Sequence, residues 1–168
     1  MAQQDTTMNN LQEAFAGESQ ANRKYLAFAR QAESEGFAQI AKLFRASAEA
    51  ETVHAHAHLK VMGGIKSTRE NLQCAIDGET HEFKSMYPPM IEEAEKAGNA
   101  AAVRTFKFAN EVEKVHAGLY SKALENIGNE GEVFDYFVCS ICGHTVEKAA
   151  PEKCVVCGAG SKAFFKVD

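Results

Sequence analysis

Apolar residues recur at steps of three and four through most of the chain, and the stripes fall into four helical segments. The first stripe is Leu11, Phe15, Glu18, Asn22, Tyr25 and Ala29. The second is Ile40, Phe44, Ser47, Glu51, His54, His58 and Val61. The third reads Leu72, Ile76, Glu79, Glu82 or Phe83, Met86 and Met90, and the fourth Val103, Phe106, Ala109, Glu113, His116, Tyr120, Leu124 and Ile127. Gly36, Gly63-Gly64, Gly98 and Gly128 mark the ends, and Tyr87-Pro88-Pro89 should interrupt the third segment. Thr6 or Thr7 is expected to cap the first helix, and Ser67 or Thr68, with Glu70 following, the third. From Gly131 onward the period changes to short β-prone pieces at Val133-Phe134, Tyr136–Val138 and Ala163–Phe165. The expected architecture is mainly α: a four-helix bundle over residues 1–128 and a very small second domain over 129–168.

Each apolar stripe is broken near its middle by carboxylates, and twice a histidine follows three residues later. Charged groups facing one another in a bundle core lose hydration and repel, at several kcal/mol or more per unpaired charge. Protonation or a cluster of cations relieves this. Di-metal carboxylate bundles use one Glu from each of two helices and Glu-x-x-His from each of the other two. Here Glu18 and Glu79 are the single carboxylates, while Glu51–His54 and Glu113–His116 are the pairs. Positions i and i+3 share a helical face, so each pair can converge on one metal.

A lone Glu on a helix is ordinarily a solvated surface residue, and chance alone supplies roughly one Glu-x-x-His match. The repeat is what counts. Glu18 precedes Glu51 by 33 residues and Glu79 precedes Glu113 by 34, so two hairpins repeat one design. Glu82, one turn from Glu79, adds a fifth carboxylate. Oxygen donors with imidazole suit iron or manganese. Five carboxylates leave one net negative charge around either two ferrous ions or two ferric ions with a bridging oxide, which suits redox work. His56 should face solvent, His58 should pack, His81 should neighbour the ligand face of its helix without lying on it, and Cys74 should be a small buried or half-buried residue.

Four of the five cysteines form two knuckles, Cys139-x-x-Cys142-Gly143 and Cys154-x-x-Cys157-Gly158. Four thiolates at this spacing make a tetrahedral site for zinc or a single iron. A structural zinc ribbon is the commoner use of such a unit, but a one-electron iron centre gains weight beside a di-iron bundle. A unit of about 40 residues usually needs a metal or disulfides to fold. The odd cysteine count argues against a disulfide scaffold.

The net charge of -5 and the absence of a basic face exclude nucleic acid as a main partner. There is no 18-residue apolar run and no signal-like N-terminus, so the expected location is the cytoplasm, away from membranes.

Gly17-Glu18-Ser19-Gln20-Ala21 with Tyr25, and Gly78-Glu79-Thr80-His81-Glu82 with Met86-Tyr87-Pro88, followed by the four-cysteine unit, resemble the rubrerythrin family over nearly the whole chain. The resemblance implies a ferritin-like bundle whose two irons, oxo- and carboxylate-bridged, are held by Glu18, Glu51, His54, Glu79, Glu82, Glu113 and His116. It implies that one iron exchanges Glu82 for His54 with oxidation state, with Tyr25 and Tyr87 hydrogen-bonding around the site. It also implies a rubredoxin-like domain in which Cys139, Cys142, Cys154 and Cys157 hold one iron, set against the di-iron site of a neighbouring subunit. The implied activity is reduction of hydrogen peroxide to water in oxidative stress defence. Electrons would come from a rubredoxin or reductase, often from NAD(P)H through a reductase chain. A ferroxidase or O2-consuming oxidase is the enzyme alternative. An iron-binding protein with a structural zinc ribbon is the non-enzymatic one.

Val155 stands where the family usually has proline, which bears on loop stiffness more than on the metal. The join between the second and third helices is a larger departure. In the ferritin-like fold these helices run parallel, which leaves roughly 30 Å to cross. Gly63–Thr68 spans only about 20 Å when extended. The sequence therefore predicts a homodimer in which the first hairpin of one chain pairs with the second hairpin of another.

Overall fold

The computed structural model describes residues 2–129 and 131–167, with side chains from Thr6 onward. Five α-helices precede a small sheet: α1 Ala2–Ser34, α2 Ala38–Val61, α3 Thr68–His81, α4 Tyr87–Lys96 and α5 Ala100–Asn126. A π-helical turn, Glu82–Met86, joins α3 to α4 without a break. The chain divides into two compact units, one holding α1 and α2 and the other everything from Ser67 onward.

Three of the four glycine signals end their helices in the same way. Gly36, Gly63 and Gly98 take positive φ (85°, 70° and 66°). Each donates to the carbonyl three residues back, and the next residue donates five back: Phe37 to Ala32, Gly64 to Leu59 and Asn99 to Ala94. This is the Schellman arrangement, which only a residue free of Cβ strain enters cheaply. At the start of α3 the Ser67 hydroxyl accepts from the Glu70 N–H while the Glu70 carboxylate accepts from the Ser67 N–H, as the sequence predicts. Asn99 caps α5 by accepting from the Ala102 N–H. Thr6 and Thr7 do not cap α1, because the helix already runs from Ala2. Nor do the prolines interrupt the third segment. Pro88 and Pro89 occupy the first positions of α4, where a missing N–H is tolerated, and the π-turn ahead of them shifts the ladder, Tyr87 donating to the Glu82 carbonyl.

The α1–α2 unit is an antiparallel hairpin whose seam is built of alanine. Ala41, Ala48 and Ala55 stand seven residues apart on α2 and are buried, as are Ala29 and Ala32 on α1. A seven-residue spacing keeps one row facing the partner helix, and small side chains let the backbones approach closely. The larger residues of the predicted stripe flank this seam instead. Ile40 and Val61 are exposed, Val61 to 70%, as are Phe28, Leu43 and Val53. Asn22 crosses the seam, donating to the Ala48 carbonyl at 2.7 Å and to Thr52 Oγ1 at 2.8 Å.

In the second unit α3 and α4 pack against α5, where Val112 and Ala117 are buried. The sheet has the order β2-β1-β3 and is antiparallel, with β1 Tyr136–Cys139, β2 Thr145–Glu147 and β3 Phe164–Val167. The register pairs Val138 with Thr145 and Cys139 with Phe164. Val133-Phe134 forms no strand, and Val133 is almost fully exposed. His56 is exposed as expected and His58 is half-buried; His81 is exposed too. Cys74, contrary to expectation, is exposed because it lies on the outward side of α3.

Candidate metal centres

On the first hairpin, α1 supplies Glu18 and α2 supplies Glu51 and His54. Helical spacing puts His54 Nδ1 3.0 Å from Glu51 Oε2, and the crossing of the two helices brings Glu18 Oε1 to 3.8 Å from the same nitrogen. Donor atoms of the three residues lie within 4.8 Å of one another, close enough to converge on one cation.

The second hairpin repeats this arrangement with α3 and α5. His116 Nδ1 is 2.8 Å from Glu113 Oε2 and 3.7 Å from Glu79 Oε1. This group is more enclosed: the His116 side chain is 26% exposed against 54% for His54. Burial, then a hydrogen bond and charge repulsion from Glu113, push the Glu79 carboxyl up to about 7, against the opposing pull of His116. Burial raises Glu113 as well; its bond to Glu79 works the other way, and the charge of Glu82 adds to the rise. The Tyr87 phenol is raised too, by burial and then by the charges of Glu82, Glu113 and Glu79. Glu82 and Tyr87 therefore share the field of the Glu79–Glu113 pair, and the Tyr87 ring packs on Phe106. A carboxyl held up to about 7 by burial and by a second carboxyl is what a cation site looks like without its cation. The donor set fits two hard or borderline metal ions.

Tyr25 lies in an aromatic cluster with Phe28 and Phe44, centroids 6.4 and 6.1 Å away.

The two knuckles are copies of one another. Gly143 donates to the Cys139 carbonyl (2.8 Å) and Gly158 to the Cys154 carbonyl (2.9 Å), while Cys139 and Cys154 donate five residues forward to His144 and Ala159. Gly143 and Gly158 have φ of 84° and 79°, which a side chain would strain. Cys139 Sγ lies 3.6 Å from Cys157 Sγ, and Cys142 Sγ 3.6 Å from Cys154 Sγ. This is far from a disulfide and close to the edge of about 3.8 Å for a tetrahedron with metal–sulfur bonds of about 2.3 Å. Burial opposes ionisation of Cys154, but backbone donors from Cys157 and Val156, helped by the Cys142 and Cys157 thiols, bring it down to about 6. Burial drives Cys142 strongly upward, so one thiolate is held at the expense of its neighbours. Four thiolates together require a cation.

Two residues that motif spacing did not single out stand between these centres. His144 is buried with Nδ1 3.6 Å from Cys154 Sγ and its ring edge-on to Phe164. Thr145 Oγ1 lies 3.0 Å from His116 Nε2, across 29 positions of sequence. No local pattern signals that contact, because docking of the sheet on α5 creates it. Lys122 pairs with Glu147 at 2.5 Å, and a side chain at Gly143 would meet Val112 at 3.8 Å. The four-cysteine unit thus meets the carboxylate–histidine group of its own second hairpin.

The family model described as Rubrerythrin matches residues 9–124, and the model of the rubrerythrin rubredoxin-like domain matches 137–165. Rubrerythrin-2 of Clostridium acetobutylicum is 33% identical, over 94% of this chain and 95% of its own. Nigerythrin of Nitratidesulfovibrio vulgaris is 34% identical over 90% and 82%, and the rubrerythrin of Porphyromonas gingivalis 35% over 95% and 88%. Among solved structures, partially reduced nigerythrin has a TM-score of 0.59 at 34% identity, covering 96% of this chain and 86% of that one. Fully reduced, all-ferrous nigerythrin gives 0.59 at 33% with the same coverage. With its paired carboxylate–histidine ligand sets and its rubredoxin-like four-cysteine knuckle, the chain belongs to the rubrerythrin family of oxidoreductases.

Proposed function

We propose that the chain is a non-haem di-iron peroxidase that reduces hydrogen peroxide to water in oxidative stress defence, with electrons relayed through a rubredoxin-type Fe(Cys)4 centre. The observation that carries the reading is the 3.0 Å contact between Thr145, on the four-cysteine unit, and His116 of the carboxylate–histidine group. A site that must be refilled with electrons needs an entry point at its edge; an iron store does not. Bound iron would supply the redox chemistry.

In this reading residues 1–128 form the di-iron bundle and 129–168 the electron-transfer domain. Glu18, Glu51, His54, Glu79, Glu82, Glu113 and His116 hold the irons. His54 and Glu82 would be the exchanging pair, and the greater exposure of His54 leaves it freer to move than His116. Tyr25 and Tyr87 donate hydrogen bonds at the site's edge.

Each hairpin supplies half of the ligand set, and we assign the complete site to a homodimer with swapped hairpins. The linker supports this. Only six residues separate Val61 from Thr68, whereas the helical stretches to His54 and Glu79 require more than 25 Å of travel (~1.5 Å per residue). The exposed Phe28, Leu43, Val53 and Val61 would be covered in such a dimer. The electron donor is a rubredoxin or an NAD(P)H-linked reductase chain, and the compartment is the cytoplasm; among the described residues no helix is long and apolar enough to cross a membrane.

Rapid mixing of the reduced protein with hydrogen peroxide and, separately, with oxygen tests the activity. Much faster oxidation by peroxide is expected; equal or faster oxidation by oxygen would make the protein an oxidase. Metal analysis giving zinc in the four-cysteine site and a colourless oxidised protein would remove the relay.

A further inference from the structure

Thr145 opens β2 and its hydroxyl reaches two groups. It donates to the Gly143 carbonyl at 3.1 Å and lies 3.0 Å from His116 Nε2. A hydroxyl has one proton, and a carbonyl oxygen can only accept. With that proton given to Gly143, Oγ1 turns a lone pair to the imidazole and is placed to accept from Nε2–H. Nδ1, 2.8 Å from Glu113 and 3.7 Å from Glu79, is then the nitrogen left to face a cation, which takes the place of the proton that the Nδ1–Glu113 contact otherwise shares.

We infer that Thr145 is a positioning residue for the carboxylate–histidine site. It sets His116 in the Nε2–H tautomer and holds the ring so that Nδ1 is the metal-binding nitrogen. The role rests on His116 being a metal ligand, as proposed above. The support is stiff. Thr145 pairs with Val138 in the sheet, and β2 is clamped to α5 by Lys122–Glu147. The same hydroxyl ties the Gly143–His144 peptide, one residue beyond Cys142, to the ring of His116, so the two metal sites share one hydrogen-bonded support. A residue at this place thus serves the second hairpin's metal although it lies in the other metal's knuckle.

The test uses the full-length, zinc-loaded protein with 15N-labelled histidine and the variants Thr145→Val and Thr145→Ser. In the wild type, two-bond nitrogen–proton correlations should show His116 protonated on Nε2, slow to exchange with solvent, with zinc on Nδ1. Thr145→Val should speed exchange of that proton at least 10-fold. It should also weaken zinc at the carboxylate–histidine site by about 10–100-fold, the range for loss of a group that orients a ligand, while the four-cysteine zinc stays bound. Thr145→Ser should restore both. A wild-type His116 protonated on Nδ1, or a valine variant with unchanged exchange and affinity, overturns the inference. So does loss of both zinc sites in the valine variant without rescue by serine, which marks a merely structural role. Zinc that leaves His116 Nδ1 unmoved in the wild type overturns the metal reading itself, and the role with it.

Discussion

Replacing Glu79 by glutamine tests the electrostatic argument most directly. Glu79 and Glu113 are 20% and 15% exposed, and the Glu79 carboxyl sits at about 7 against an ordinary 4.5. Between those values the folded, metal-free protein binds a proton that the unfolded chain has released. The stability that Glu79 contributes is therefore fully present below pH about 4.5 and is lost as pH rises through about 7. At about 1.36 kcal/mol per pH unit the shift corresponds to roughly 3 kcal/mol; solvent screening of a partly exposed pair reduces this to about 1–3 kcal/mol. Urea unfolding of wild type and Glu79→Gln should be compared from pH 4.5 to 8, with the carboxylate–histidine site stripped of metal and the four-cysteine site left loaded. The glutamine variant, which has no proton to lose, should gain on the wild type by about 1–3 kcal/mol across that range. Added divalent metal should reverse the order, because the wild type then ionises both carboxyls toward the cation and the variant has lost a ligand. A stability difference that does not change with pH, or a metal-free wild type that gains on the variant as pH rises, would refute the reasoning.

Ser67→Ala removes one arm of the capping box at the start of α3 and should cost about 1 kcal/mol in urea unfolding, with metal content unchanged. Ala48→Leu forces a large side chain into the fully buried alanine seam of α1 and α2, and should cost about 1–3 kcal/mol and lower the melting temperature. Cys154→Ser removes the thiol that backbone donors bring down to about 6. Metal at the four-cysteine site should be lost on analysis, together with the dispersion of amide signals from β1–β3, while those of α1 and α2 are retained.

What can be read from local chemistry was legible. Gly36, Gly63 and Gly98 end helices because positive φ is cheap only without a Cβ, and Ser67 caps α3 because its partner Glu70 is three residues away. The two Glu-x-x-His pairs and the cysteine knuckles were legible for the same reason: their ligands are neighbours on one turn, so spacing alone sets geometry. The helix seams were less so. The stripe of Ile40 and Val61 carries most hydrophobicity, but the close approach of α1 and α2 selects Ala41, Ala48 and Ala55 for burial, a matter of volume rather than polarity.

Sequence by itself determined the elements, the four-cysteine site and the two repeated ligand groups, because each follows from residues a few positions apart. Tertiary structure decided how those parts are joined. Docking of the small sheet on α5 puts Thr145 beside His116, a contact between residues 29 apart that no short-range rule encodes. Packing then gives His116 Nε2 a hydroxyl partner while the matching His54 stays open to solvent. Two groups with the same spacing thereby acquire different environments, since hydrogen-bond partners and burial belong to the packed chain and not to the motif.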